Sequence, residues 1–232
     1  MPWFAVYYVP EAESDLYQLG SSVLGYDSRA GQRVPLRPDL AERLGPIDDA
    51  WVAWAPGFGL HMTLSDLYEF EAGQLASLER EIGEILACFD PDEPWTLAAE
   101  PEGPVSFWGG HTLGLSYRAT APLLMLHALI VTRVPAFGTA SVWQQRYLQD
   151  PAQYGDRPST LQKIRKFGTL NGLDTWKPHL TLLNPYSGPD PKGMVERYAG
   201  AFGRFTEITV GSVCLLLQGE DGYWRVWREF PR

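Results

Sequence analysis

Basic residues are in short supply: 19 Lys and Arg stand against 28 Asp and Glu, for a formal net charge of -9. A protein that binds long polyphosphates draws much of its affinity from counterion release by clustered Lys and Arg, so this deficit makes long nucleic acid a poor partner. Cysteine is scarcer still. Cys88 and Cys214 are the only two; each lies in an apolar-periodic segment without metal-knuckle or redox spacing, which reads as two core thiols in a reduced setting. No run of about 18 apolar residues offers a membrane span. The opening Met1-Pro2-Trp3-Phe4-Ala5-Val6 lacks the basic region, apolar core and cleavage site of a secretory leader. A soluble, cytoplasmic protein is expected.

What is present points to a compact enzyme. Over 232 residues, 45% are hydrophobic, and 9 Trp, 11 Tyr and 10 Phe are a generous aromatic supply; that length supports one large domain or two small ones. Charge is unevenly spread. The acids from Glu69 to Glu102 are opposed by Arg80 alone, whereas Arg157, Lys163, Arg165, Lys166 and Lys177 are opposed by Asp174 alone.

Hydrophobic periodicity predicts a strand over Trp3 to Val9, then a helix capped by Ser14 and ended at Gly25. A polar loop with a short helix near Asp39 to Leu44 leads to a strand over Phe58 to Leu64. An amphipathic helix follows from about Ala72 to Phe89. Strands are expected at Trp95 to Ala99, Val105 to Trp108 and Thr112 to Tyr117, the last two joined by Gly109-Gly110. Thr120 and Pro122 open another helix to about Val134. A long segment, 135 to 178, precedes a strand at His179 to Leu183 and a helix opened by Asp190-Pro191. Two long strands, Thr206 to Gln218 and Tyr223 to Phe230, close the chain. The order after His61 and the order after His179 are the same: a histidine strand, a long helix and then strands. That parallel predicts an α+β fold of one bilobal domain over 1-232, with two pseudo-symmetric lobes. Each lobe is an antiparallel sheet with helices outside, and the lobes interleave and meet at a central cleft.

The chemistry rests on a pattern that occurs twice: His61-Met62-Thr63-Leu64 and His179-Leu180-Thr181-Leu182. Side chains alternate across a strand, so His61 and Thr63 share one face while Met62 and Leu64 anchor the other. His179 and Thr181 repeat this over Leu180 and Leu182. Two such strands facing one another provide one imidazole to take a proton from an attacking oxygen and one to protonate a leaving oxygen. Thr63 and Thr181 can donate to the non-bridging phosphate oxygens. The rings are expected about 4 to 8 Å apart, in reach of one phosphate. No third ligand stands at zinc spacing, so neither metal nor cofactor is expected. His111 reads as a turn residue and His127 as a helix histidine. Lys163, Arg165 and Lys166 are candidates for attracting an anionic substrate, and Trp176 for stacking on it.

The paired motifs resemble those of the two-histidine (2H) phosphoesterase superfamily. The resemblance extends to an uncharacterised bacterial branch linked to phosphonate-utilisation operons. It is carried by Tyr7-Tyr8-Val9-Pro10, Leu24-Gly25-Tyr26-Asp27, Gly59-Leu60 before the first motif, Arg157-Pro158 with Gln162, Lys166-Phe167-Gly168, and Pro178 before the second. It implies His61 and His179 as catalytic residues of a phosphodiesterase. The expected substrate is a small cyclic phosphodiester, such as a 2',3'-cyclic nucleotide or a ribose cyclic phosphate. Two alternatives stay open. One is an RNA-end-processing enzyme similar to 2'-5' RNA ligases, gripping its substrate with 157-177; the other is a module that binds a phosphorylated ligand without turning it over. Oligomeric state is left open.

Overall fold

The computed structural model describes residues 2-140, 145, 148, 149 and 158-232. Arg157 and much of the central part of the 135-178 segment lie outside the described residues. The first strand, β1 (Trp3–Tyr8), is almost wholly apolar and buried. Helix α1 (Asp15–Leu24) starts where the Ser14 hydroxyl accepts the Tyr17 N–H at 3.2 Å, and it ends at Gly25, which adopts a left-handed φ of 72°. Such a cap is worth about 1 kcal/mol. A small hairpin follows, β2 (Tyr26–Asp27) with β3 (Gln32–Arg33), and then α2 (Pro38–Leu44).

The expected strand at 58-64 is much shorter. Pro56–Phe58 is a 3-10 turn and Gly59 takes a φ of 69°, so regular pairing begins only at β4 (Met62–Thr63). His61 therefore stands just before the strand. After β4, Leu64 N and Ser65 N both donate to Val6 O at 3.1 and 2.9 Å, a bulge that leads to β5 (Tyr68–Glu69) beside the same strand β1. Helix α3 (Leu75–Leu86) buries Leu78, Ile82 and Ile85. It stops before Cys88, which consequently sits exposed in the following turn and not in the core; Cys214 is buried as expected.

Strands β6 (Thr96–Ala99), β7 (Val105–Trp108) and β8 (Thr112–Ala119) follow, with Gly109 and Gly110 both at positive φ in the β7–β8 turn. Then come α4 (Ala121–Arg133), β9 (Thr139–Ala140), α5 (Pro158–Phe167), β10 (His179–Leu183) and α6 (Pro191–Phe202). The expected strand from Thr206 to Gln218 divides into β11 (Glu207–Thr209) and β12 (Ser212–Gln218), before β13 (Trp224–Pro231). The break at Val210-Gly211 lets the two pieces enter different sheets.

The described strands form two larger antiparallel sheets, so the fold is α+β. One has the order β13-β12-β1-β5-β9, with β4 also on β1; the other is β10-β8-β6-β11, with β7 on β8. The chain interleaves them. The paired strands after the first motif, β7 and β8, join β10 of the second motif; the last two strands, β12 and β13, join the edge of β1 opposite β4 of the first. Each histidine motif thus depends on sequence that follows the other. No described helix is long and apolar enough to cross a membrane.

Candidate active site

His61 is positioned by the turn that shortens its strand. With Gly59 in the left-handed region and Leu60 fully buried, His61 Nδ1 lies 2.9 Å from Gly59 O. A carbonyl can only accept, so Nδ1 carries the ring proton and Nε2 keeps its lone pair. Tyr7, the register partner of Thr63 on β1, stacks on the imidazole at 4.0 Å between centroids and 18° between planes. Phe58 packs on the ring at 5.8 Å.

The second motif repeats the device. His179 Nδ1 lies 2.7 Å from Lys177 O, again the carbonyl two residues earlier, which sets the same tautomer. Trp108 meets the ring edge-on at 5.2 Å and 71°. Strands β4 and β10 approach each other with Cα atoms within 8 Å. Burial pushes His61 down to about 4, partly opposed by its bond to Gly59 and reinforced by the charge of His179. Burial also lowers His179, against the pull of the Lys177 carbonyl. Thr63 and Thr181 lie two residues on, and their hydroxyls make no hydrogen bond among the described residues, so both are available to a ligand.

Behind the first motif lies a support that periodicity did not reveal. His127, on α4, donates from Nδ1 to Leu64 O at 3.0 Å and accepts the Leu173 N–H at Nε2, 3.1 Å. Both ring nitrogens are thereby occupied by the neutral form, and burial holds the group down to about 4. Leu173 pays for that bond with a φ of 60°, a conformation costing a non-glycine residue about 1 kcal/mol.

Trp176 stacks on His127 at 4.2 Å and 7°, and its indole N–H donates to Thr63 O at 2.9 Å. At 9% exposed, it braces the first motif from behind and does not present a free face for stacking on substrate, as the sequence had suggested. Lys163 likewise differs from expectation. It is buried, with Nζ 2.5 Å from Asp174 Oδ1 and 3.0 Å from Thr175 Oγ1, so its charge ties α5 to the 173-175 turn and lowers the Asp174 carboxyl. Arg165 and Lys166 are exposed on the same helix, and no contact joins either to the histidines.

Further residues on the histidine faces were missed. Residues paired across a ladder share a face, which sets Ser116 opposite His179 and Gly114 opposite Thr181, with Ser106 and Trp108 on the next strand. The signal was the period-two alternation of Val105-Ser106-Phe107-Trp108 and Leu113-Gly114-Leu115-Ser116, whose polar members share one side. Among the described residues, no group of three or more His, Cys, Asp or Glu could hold a metal ion.

No family model and no curated protein matches the chain. Among solved structures it is similar to Usb1 of Kluyveromyces marxianus, at 11% identity and a TM-score of 0.34, covering 99% of this chain and 98% of that one. It is similar also to that protein with uridine monophosphate, at 10% identity and a TM-score of 0.34, covering 100% and 97%.

Proposed function

We propose that the protein is a 2H phosphodiesterase that opens a small cyclic phosphodiester by histidine acid/base chemistry, without a metal. The observation that carries this reading is the repeated device. Two imidazoles, each with Nδ1 bound to the carbonyl two residues before it, each leave Nε2 without a partner among the described residues, and each is followed two residues on by a threonine hydroxyl likewise unpartnered among them. His61 directly precedes β4 and His179 opens β10, and these two strands approach within 8 Å. One pair of imidazoles can make both proton transfers of an in-line displacement.

The charges suggest which does which. Burial pushes His61 down to about 4 and so keeps it neutral, which suits it to accept a proton; His179 is then taken as the acid. His61 Nε2 then removes a proton from the attacking water as its oxygen bonds to phosphorus. His179 delivers its proton to the ring oxygen as that P–O bond breaks, and the product is a phosphomonoester with a free hydroxyl. Thr63 and Thr181 donate to the non-bridging oxygens, where charge accumulates. Arg165 and Lys166 supply long-range attraction for the anion. In this reading the two sheets are pseudo-symmetric lobes, each contributing one motif, and the affinity is for the bacterial branch linked to phosphonate use.

The test is a panel of nucleoside 2',3'-cyclic phosphates, ribose cyclic phosphate and linear diesters followed by phosphorus NMR under exhaustive chelation. Opening of a cyclic diester, lost in both His61→Ala and His179→Ala, is the expected outcome. Turnover that vanishes with the chelator and returns with a divalent ion would refute the metal-independent mechanism, and no turnover of any diester would refute the function.

A further inference from the structure

The face of β10 that presents His179 and Thr181 continues onto β8 and β7. There Ser116 lies opposite His179, and Ser106 and Trp108 follow on β7. The opposite face is apolar, with Leu113, Leu115 and Leu180 fully buried. Gly114 lets both the β10 backbone and the indole close in, because a Cβ there would meet Leu180 O and stand 2.9 Å from Trp108 Cη2, so the ring lies over β8 and reaches His179. Trp108 remains half-buried, and its Nε1–H has no acceptor among the described residues. The Ser106 and Ser116 hydroxyls are 2.7 Å apart. One proton is spent within that pair, and the other is left to donate.

None of these groups is needed for the two proton transfers or for the phosphate oxygens. We propose that Trp108, Ser106 and Ser116 form a subsite beside His179 for the nucleoside part of the substrate. Trp108 covers a flat ring, and the indole N–H and the serine pair donate to its polar edge. An aromatic face gains from a planar ring as a bare polyol cannot supply one, and base–aromatic stacking tolerates any base. The inference rests on the phosphodiesterase reading and names the substrate class of the same site.

Titration calorimetry with uridine 3'-monophosphate and with inorganic phosphate tests it through the ratio of the two dissociation constants. The unaltered protein should prefer the nucleotide. Trp108→Ala should reduce that preference by about 5- to 150-fold, the range of one base stacked on one aromatic ring. Trp108→Phe should recover most of it, and Ser116→Ala should reduce it a few-fold. Kinetics should show the same split, with KM for uridine 2',3'-cyclic phosphate rising relative to that for glycerol 1,2-cyclic phosphate.

Equal weakening of both ligands in Trp108→Ala would mean that Trp108 only supports His179, and it would overturn the subsite. No nucleotide preference in the unaltered protein, or a preference independent of Trp108, would do the same. If neither diester is turned over while the binding ratio still follows Trp108, the functional reading fails and the subsite stands.

Discussion

Acidity should govern this protein in a way its two histidines make calculable. Catalysis by the proposed pair requires His61 neutral and His179 protonated. Burial puts His61 at about 4 and His179 below its ordinary value, so for the free protein kcat/KM should peak between about 4 and 6.5. The acid limb is protonation of the base, falling about tenfold per pH unit below 4. The other limb is loss of the proton from His179, falling about tenfold per unit above its depressed value. A group titrating at about 6.5 is roughly one quarter protonated at pH 7, so less than a quarter of the molecules are competent there. Bound substrate changes this. A phosphate anion between the rings favours their charged forms, so the kcat profile should lie at higher pH than that of kcat/KM. The assay is initial rates on a nucleoside 2',3'-cyclic phosphate from pH 3.5 to 9, with folding followed by circular dichroism. Nitrogen NMR of the imidazoles should show both in the Nδ1–H form near neutrality. A kcat/KM optimum above 7, a flat profile, or an Nε2–H tautomer at either histidine would refute the reasoning.

His61→Ala and His179→Ala should each lower kcat by roughly 10² to 10⁴, and the double variant by less than the product, because the two act as a unit; Thr63→Ala and Thr181→Ala should do milder damage. Gly59→Ala places a Cβ 2.8 Å from Ser28 Cβ and Oγ at a φ of 69°, which should cost about 1 to 3 kcal/mol in urea unfolding and lower kcat by displacing the carbonyl that orients His61. Lys163→Met should lower the melting temperature by roughly 2 to 4 °C and leave KM within about twofold, whereas Arg165→Gln with Lys166→Gln should raise KM more than it lowers kcat. Stability should fall as pH drops from about 6.5 to about 4, because unfolded chains take up protons that folded His61 and His127 refuse; each contributes about 3 kcal/mol, present above the unfolded value and lost towards the folded one. Urea midpoints across that range should show the loss, and His127→Gln should reduce it.

Local patterning made much of this molecule legible. His179 to Leu183 was delimited correctly, because a half-buried strand prints its period directly into the order of apolar residues. Ser14 and Gly25 marked the ends of α1 because capping is chemistry within a few residues. The repeated His-x-Thr-Leu pattern singled out the two imidazoles and two hydroxyls, although strand geometry places only His179 with Thr181 and a turn at Gly59 sets His61.

Whatever depended on contacts distant in sequence was decided by tertiary structure. Trp176 was an aromatic near a motif until its N–H reached Thr63 O, 113 residues away, and Lys163 was a basic residue until burial against Asp174 used its charge. The split of Thr206 to Gln218 into two sheets followed from which strands waited on either side, β6 for one piece and β1 for the other. By itself the sequence determined which groups could do chemistry and which face of each strand would carry them, since side-chain type and backbone period are local. Only the folded chain decided which of those groups stay free, because a donor or a charge is available to a ligand only where packing has not already given it a partner.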